Sequence, residues 1–178
     1  MREIEYDDAL LTKKIQNIPL FKYLQENERD EIINQSVITE YEDDEVLISS
    51  NTFNENLFII LDGYVDVSVT NPRDDKRCFI CSLGSSDILG EAGLFMNSKS
   101  MANVTANESV RVLKIKAEII INFIKKYPKS GNKILILLYC IIAERLAFTN
   151  RELASAKRFE FDQSKIDSMV MKYLKDPS

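Results

Sequence analysis

The chain has 178 residues, 45% of them hydrophobic, and a formal net charge of −5, with 23 Lys and Arg against 28 Asp and Glu. That length makes one domain, or one domain with an appended arm, and holds enough apolar residue for a real core. The acidic balance argues against a dominant nucleic-acid surface, and local clusters such as Lys125, Lys126, Lys129 and Lys133 read as solvated helix faces.

The chain has three cysteines and no histidine; an odd number of cysteines without a signal peptide suggests a reducing compartment. Cys78 and Cys81 form a C-x-x-C, but in a strand-like run where residues three apart face opposite sides. With Cys140 distant, neither a zinc nor a redox site is expected. The N-terminus, MREIEYDDAL, has no apolar signal core. The longest apolar run, Ile134 to Ala143, is shorter than the roughly 20 residues that a membrane span needs. The expectation is a cytoplasmic protein with no membrane segment.

In chain order, Asp7 to Ile18 predicts an amphipathic helix with Leu11, Ile15 and Ile18 at helical spacing. Pro19 ends it, and Ile18-Pro19-Leu20-Phe21 forms an apolar knuckle. Asn27, with Asp30 in the reach-back position, predicts the cap of a second short helix that buries Ile32 and Ile33. From Val37 to Lys116 the pattern is short strands and turns, that of a sandwich or barrel. Leu57 to Leu61, then Asp62-Gly63, then Tyr64 to Val69 reads as a two-residue hairpin, because that turn needs positive φ. Val65, Val67 and Val69 then share the buried face. Asn71 to Asp75 is a polar loop, Cys78 to Leu83 a strand, and Val110 to Ile115 the last strand.

Three of the five glycines, Gly84, Gly90 and Gly93, fall within ten residues. Gly90-Glu91 opens a short apolar turn, Ala92 to Met96, that reads as helix. A glycine turn opening a helix leaves unpaired N–H groups that favour an anion, although a plain strand connection fits the same residues. Ser100 to Ala106 then alternates with the period of a half-buried strand.

After Lys116 the period is helical again. Ala117 to Lys126 forms one helix, and Pro128 separates it from a long one, about Lys129 to Arg158. On the long helix Leu135, Tyr139, Ile142, Leu146, Thr149, Leu153 and Ala156 follow a heptad seam, beside a second stripe of Ile134, Leu138, Ile141 and Phe148. The second stripe suggests a partner helix, hence a homodimer; the alternative is that both stripes pack within the chain. Ile166, Met169, Val170, Tyr173 and Leu174, with Ser164 and Asp167 as a capping box, predict a separate short amphipathic helix in residues 159–178.

Taken together, Ile18 to Phe21, the Phe58-Ile59-Ile60-Leu61-Asp62-Gly63 run, Gly84 to Glu91, and Arg145-Leu146 to Asn150 resemble the cyclic-nucleotide-binding domain of catabolite-activator-type regulators and cyclic-nucleotide-dependent kinases. The resemblance covers roughly Ile18 to Ala154. It implies a mainly β fold with flanking helices, a double-stranded β-helix or jelly-roll barrel over residues 1–158, with N-terminal helices and a long C-terminal helix that lids the pocket and often dimerises. It also implies a ligand, cAMP or cGMP, and no cofactor. In that family the glycine–glutamate turn is the phosphate-binding cassette. By position Gly90, Ala92 and Gly93 take its backbone contacts, Glu91 the ribose hydroxyl, and Thr149 and Asn150 the adenine-facing positions.

One departure stands out. Without gaps, Ser100 occupies the place of the family's phosphate-binding arginine and Met101 that of the small or hydroxyl residue after it; only Ala102 and Val104 match. Losing a charge-assisted phosphate contact costs about 1.5–3 kcal/mol, or roughly one to two decades of affinity. In this register Lys99 points outward, whereas a one-residue bulge between Ser100 and Ala102 turns Lys99 and Ser100 inward.

Two functions therefore compete: a sensor with weak or altered cyclic-nucleotide binding that signals through the long helix to a protein partner, and a degenerate dimeric interaction module that binds no nucleotide or another small anion. An enzyme of the metal-binding jelly-roll type needs histidines that this chain lacks. Direct DNA binding needs a helix-turn-helix domain, for which the twenty or so residues after Arg158 are too few.

Overall fold

The computed structural model describes residues 1–4, 8–71, 74–95 and 99–174. Asp7, Pro72, Arg73 and Met96 lie outside the described residues, as do the side chains of the stripe from Ile166 to Leu174 and of the Ser164–Asp167 box. The elements are β1 (Arg2–Glu3), α1 (Asp8–Ile15), α2 (Glu26–Ile33), β2 (Val37–Tyr41), β3 (Val46–Ile48), β4 (Asn56–Thr70), β5 (Arg77–Leu83), β6 (Ile88–Leu89), α3 (Glu91–Phe95), β7 (Asn103–Lys116), α4 (Ala117–Lys126) and α5 (Pro128–Leu174). They divide into two compact units, Met1–Leu135 and Ile136–Ser178.

In the first unit the strands form one antiparallel sheet in the order β1-β2-β7-β4-β5, with β3 also on β7 and β6 also on β4. It is the expected jelly-roll architecture, mainly β with flanking helices. Its inner face buries Tyr41, Ile48, Phe58, Ile60, Val65, Leu89, Val104, Ala106, Val110 and Val112. Outside it, Leu11, Ile15, Ile18, Leu20 and Phe21 are buried as their helical and knuckle spacing predicts.

The Asp62-Gly63 hairpin is not present. β4 runs through it without reversing, and both halves pair with β7, Leu57 with Ile115 and Ile60 with Val112 before it, Val65 with Ala106 and Val67 with Val104 after it. The register slips at Asp62 and again before Tyr64. Gly63 has φ +83°, and a Cβ there would sit 2.4 Å from the Ser109 carbonyl oxygen. The same Asp-Gly chemistry that closes hairpins also makes bulges; each half-strand has a longer partner in β7 than in the other. Of the three valines expected inside, Val65 is buried and Val67 packs on the core, whereas Val69 is half-buried and lies outside that cluster.

A second bulge corrects the reading of the cysteines. β5 pairs with β4 as Cys78 with Val69, Phe79 with Ser68, and Cys81 with Val67, so Ile80 is the extra residue. Residues directly opposed across a ladder share a face, and Val67 and Val69 share theirs. Cys78 and Cys81 therefore lie on one face, not on two.

α2 starts two residues earlier than the Asn27–Asp30 pairing predicts. Gln25 is its N-cap, and its backbone N–H donates to Glu28 Oε2 at 2.9 Å. Glu28 is buried, and its Oε1 accepts the Ser130 hydroxyl at 2.8 Å. One carboxylate thus caps α2 and fixes the first turn of α5 to it. Nearby, Lys126 donates to both oxygens of Glu31 at 2.8 Å and the Tyr127 hydroxyl donates to one of them, also at 2.8 Å. At the sheet edge Glu40 accepts from Arg2 Nε at 2.7 Å and Arg111 Nε at 3.0 Å, which ties β1 and β7 to β2.

α5 continues through Arg158 to Leu174 instead of giving way to a separate helix. No glycine or proline lies between Gly131 and Pro177 to stop it. Ile134 and Leu138 are buried, whereas Tyr139, Ile142, Leu146, Phe148 and Leu153 are exposed. Among the described residues no helix is long and apolar enough to cross a membrane.

Two measurements test these contacts. Ser130→Ala removes a buried hydrogen bond to a charged group and is expected to lower unfolding free energy by about 1.5–3 kcal/mol, read by denaturant titration. Hydrogen bonds from Arg2 and then Arg111 hold the Glu40 carboxyl below its ordinary value of 4.5. The folded state then keeps that proton off further into acid than the unfolded chain, so the stabilisation is complete above about pH 4.5 and is lost as pH falls through the depressed folded value. Glu40→Gln is expected to be less stable at neutral pH, with the gap to the natural chain closing below pH 4.5 in thermal melts.

Candidate functional site

The glycine turn between β6 and α3 is built against the loop that precedes β4. Asn54 folds back on its own chain, its Nδ2 donating to the Asn56 carbonyl at 2.7 Å and its Oδ1 accepting the Asn56 N–H at 3.2 Å. Gly90, at φ +83°, lies so close to this loop that a Cβ would be 2.3 Å from the Asn56 carbonyl oxygen and 2.7 Å from Asn54 Nδ2. A Cβ on Gly93 would be 2.1 Å from the Asn54 carbonyl oxygen. Only glycine allows both the dihedral and the approach. The loop thus clamps the turn from behind and sets the position of Glu91, which is buried as the first residue of α3. Ala92 is exposed, and Leu94 anchors the helix in the core. The Gly93 N–H donates to the Gly90 carbonyl at 3.1 Å, so that amide already has an acceptor within the turn.

The second half of the stretch is held by the same loop. Lys99 bridges Phe53 through the backbone. The Ser100 N–H donates to the Thr52 carbonyl and its carbonyl accepts from Asn51, both at 2.8 Å. The chain then bends at Met101 and Ala102, and β7 begins only at Asn103. The continuous alternation expected from Ser100 is therefore interrupted. The Asn103 side chain causes part of this, since its Oδ1 accepts the Ser50 N–H at 2.9 Å and holds the bend against β3's exit. Lys99 is exposed, Ser100 half-buried, and Met101 the most exposed of the large apolar side chains, at 88%. Past the bend, Ile48, Val104, Val67 and Cys81 oppose one another in a single row across β3, β7, β4 and β5.

Gly90, Glu91, Ala92 and Gly93 are thus brought together with the backbone of Lys99 and Ser100 around the Asn51–Asn56 loop. Thr149 and Asn150 belong to the second unit and are exposed there, the Thr149 hydroxyl donating to the Arg145 carbonyl one turn back at 2.9 Å. Arg77 does not stand in for the missing arginine. Its guanidinium donates to Ser68 Oγ at 2.6 Å and Thr105 Oγ1 at 2.7 Å, on the face away from Val67 and Val104. Sequence reasoning overlooked Asn54 and Asn103. Their signal was available: asparagine hydrogen-bonds local backbone in turns, and three of them crowd Asn51, Asn54 and Asn56 ahead of an apolar run. Among the described residues no cluster of three or more His, Cys, Asp or Glu is placed to hold a metal ion.

The model of the family described as "Cyclic nucleotide-binding domain" matches residues 38–127, which take in β2 through α4. The cAMP-dependent protein kinase regulatory subunit of Mycosarcoma maydis is 31% identical over 98 residues, 55% of this chain but only 18% of that protein's length. Among solved structures, a cyclic nucleotide-binding domain from Methylobacillus flagellatus superposes with a TM-score of 0.69 at 22% identity, over 83% of each chain. The regulatory domain of Toxoplasma gondii PKA, solved with cAMP, superposes with a TM-score of 0.59 at 21% identity, over 67% of this chain and 46% of that one. These structures share the fold. With the family match spanning half of its length, the chain belongs to the cyclic nucleotide-binding domain family.

Proposed function

We propose that this chain is a regulatory sensor domain that takes a cyclic nucleotide, cAMP or cGMP, with low affinity. The observation that carries the reading is the clamped Gly90–Glu91 turn, where Asn54 and Asn56 fix a positive-φ glycine and a buried carboxylate at the head of α3. Glu91 accepts the ribose hydroxyl, and the amides at the start of α3 meet the cyclic phosphate, favoured by the partial positive charge of the helix end. Because the Gly93 amide already donates to Gly90, Glu91 and Ala92 carry most of that backbone contact. Ser100 supplies a hydroxyl where relatives of this family place a guanidinium, and Lys99 is the nearest cation in sequence. By the family's pattern Thr149 and Asn150 are the base-facing positions, and α5 passes the signal to a protein partner. The regulatory character of the Mycosarcoma relative and the cAMP held by the Toxoplasma domain support the reading.

A second reading rests on Ser100 alone. It is uncharged and its backbone is committed to Asn51 and Thr52, which suits a module that has given up the nucleotide and kept the scaffold. In both readings the exposed seam of Tyr139, Ile142, Leu146 and Leu153 pairs with a second copy of the chain in a coiled coil.

Calorimetry with cAMP and cGMP separates the two. Binding in the upper micromolar to millimolar range, abolished by Glu91→Ala, is expected for the sensor; no heat at millimolar nucleotide establishes the module instead. Ser100→Arg is expected to tighten nucleotide binding about 10- to 100-fold, the decades equivalent to one charge-assisted phosphate contact. Sedimentation equilibrium is expected to show a dimer that Leu146→Lys converts to monomer, with thermal stability of the barrel unchanged.

A further inference from the structure

The lysines where α4 meets α5 have no part in the nucleotide reading. From Lys125 to Lys133 the chain carries four lysines and no Asp or Glu. With the whole chain at −5 and these four at +4, the rest of it sums to −9, so positive charge is segregated here. The knuckle before α2 adds to it. Lys133 Nζ donates to the Tyr23 carbonyl at 2.9 Å, and the Lys22 ammonium lies 5.8 Å from the centre of the Tyr23 ring. Lys129 is one turn before Lys133 on the same face of α5, a like-charge spacing that is unfavourable on its own. Tyr23 is 63% exposed, so an open aromatic ring stands beside Lys22 and Lys133, with Lys129 next along the helix.

The carboxylates that border this surface are already committed. Glu31 accepts from Lys126 and Tyr127, and Glu28 accepts from the Gln25 N–H and the Ser130 hydroxyl. Glu26 and Asp30, each two residues from Glu28, fall on the opposite side of α2. Among the described residues neither Lys125 nor Lys129 has a carboxylate partner.

The make-up of the surface selects the class of partner. All of its cations are lysines, which offer point charges and not the forked donors that arginine sets against a phosphate. The negative remainder of the chain repels an extended anion, such as a membrane or a nucleic-acid duplex, that reaches past the patch. A short segment stays within the roughly 8–10 Å over which the lysines act at physiological salt. The Tyr23 ring adds an amphipathic anchor of the kind that protein interfaces favour.

We propose that Lys22, Tyr23, Lys129 and Lys133 form a docking surface for an acidic protein segment, rich in Asp and Glu and carrying one aromatic side chain that covers Tyr23. The surface is independent of nucleotide binding.

Fluorescence anisotropy of the full chain with a labelled short peptide of Asp and Glu around a single Phe tests it. Micromolar binding at low salt is expected, weakened about tenfold when Lys22→Glu and Lys129→Glu are combined. A loss of about threefold is expected from Tyr23→Ser, and no change from Lys76→Glu in the loop between β4 and β5. Phosphatidylserine vesicles are expected not to carry the chain down on sedimentation. Thermal melts verify that each variant is folded, and sedimentation equilibrium is expected to give the double variant the same oligomeric state as the natural chain. Failure of the peptide to bind, binding that the double variant or Tyr23→Ser leaves unchanged, equal loss in Lys76→Glu, or capture by the vesicles overturns the proposal. A changed oligomeric state in the double variant also overturns it, because the surface then belongs to a second copy of the chain.

Discussion

The antiparallel ribbon of β4 and β7 is the constraint on which the rest of the barrel depends. These are the two longest strands, paired from Asn56–Lys116 at one end to Ser68–Asn103 at the other. Every other strand except β1 attaches to one of them: β2 and β3 to β7, β5 and β6 to β4. The glycine turn follows β6, and the loop that clamps it runs directly into β4. The bend that ends the candidate site runs directly into β7. The register of one ribbon therefore places the turn, its clamp, and the row of Ile48, Val104, Val67 and Cys81 relative to one another.

How far the sequence disclosed this depended on whether a signal was local. Apolar spacing identified the buried face of β4, the knuckle at Ile18–Phe21 and the α4 and α5 helices, because burial repeats with the period of the element. Asp62-Gly63 announced a positive φ correctly and its use wrongly: whether such a turn reverses the chain or bulges it is decided by a distant partner, here β7. The cysteines failed for the same reason. Their alternation held along the isolated strand and was reversed by an extra residue visible only in the pairing with β4.

The candidate site divides in the same way. Gly90 was legible because its residue type is demanded by backbone geometry at that spot, and Glu91 was singled out by the family resemblance. Asn54 was not, because its contribution is made through contact with a turn more than thirty residues away. The substitution at Ser100 was evident in the sequence, yet its backbone pairing with Asn51 and Thr52 was not. That pairing fixes the path of the loop without help from a phosphate. A ligand arriving here meets a backbone already ordered, so it contributes little to folding the turn and loses little affinity to ordering it.

β5 closes the sheet order and pairs with β4 alone among the described strands. Its Cys78, Phe79, Ile80 and Cys81 run is apolar and rich in strand-forming residues, and Phe79 and Ile80 are exposed. A straight strand of that composition at a sheet edge is a template for addition of another chain. The extra residue at Ile80 breaks the regular spacing of its outward N–H and C=O groups and twists the edge, and Arg77 puts a charge at its start. The bulge that turns two thiols to one side thereby also keeps this edge from polymerising.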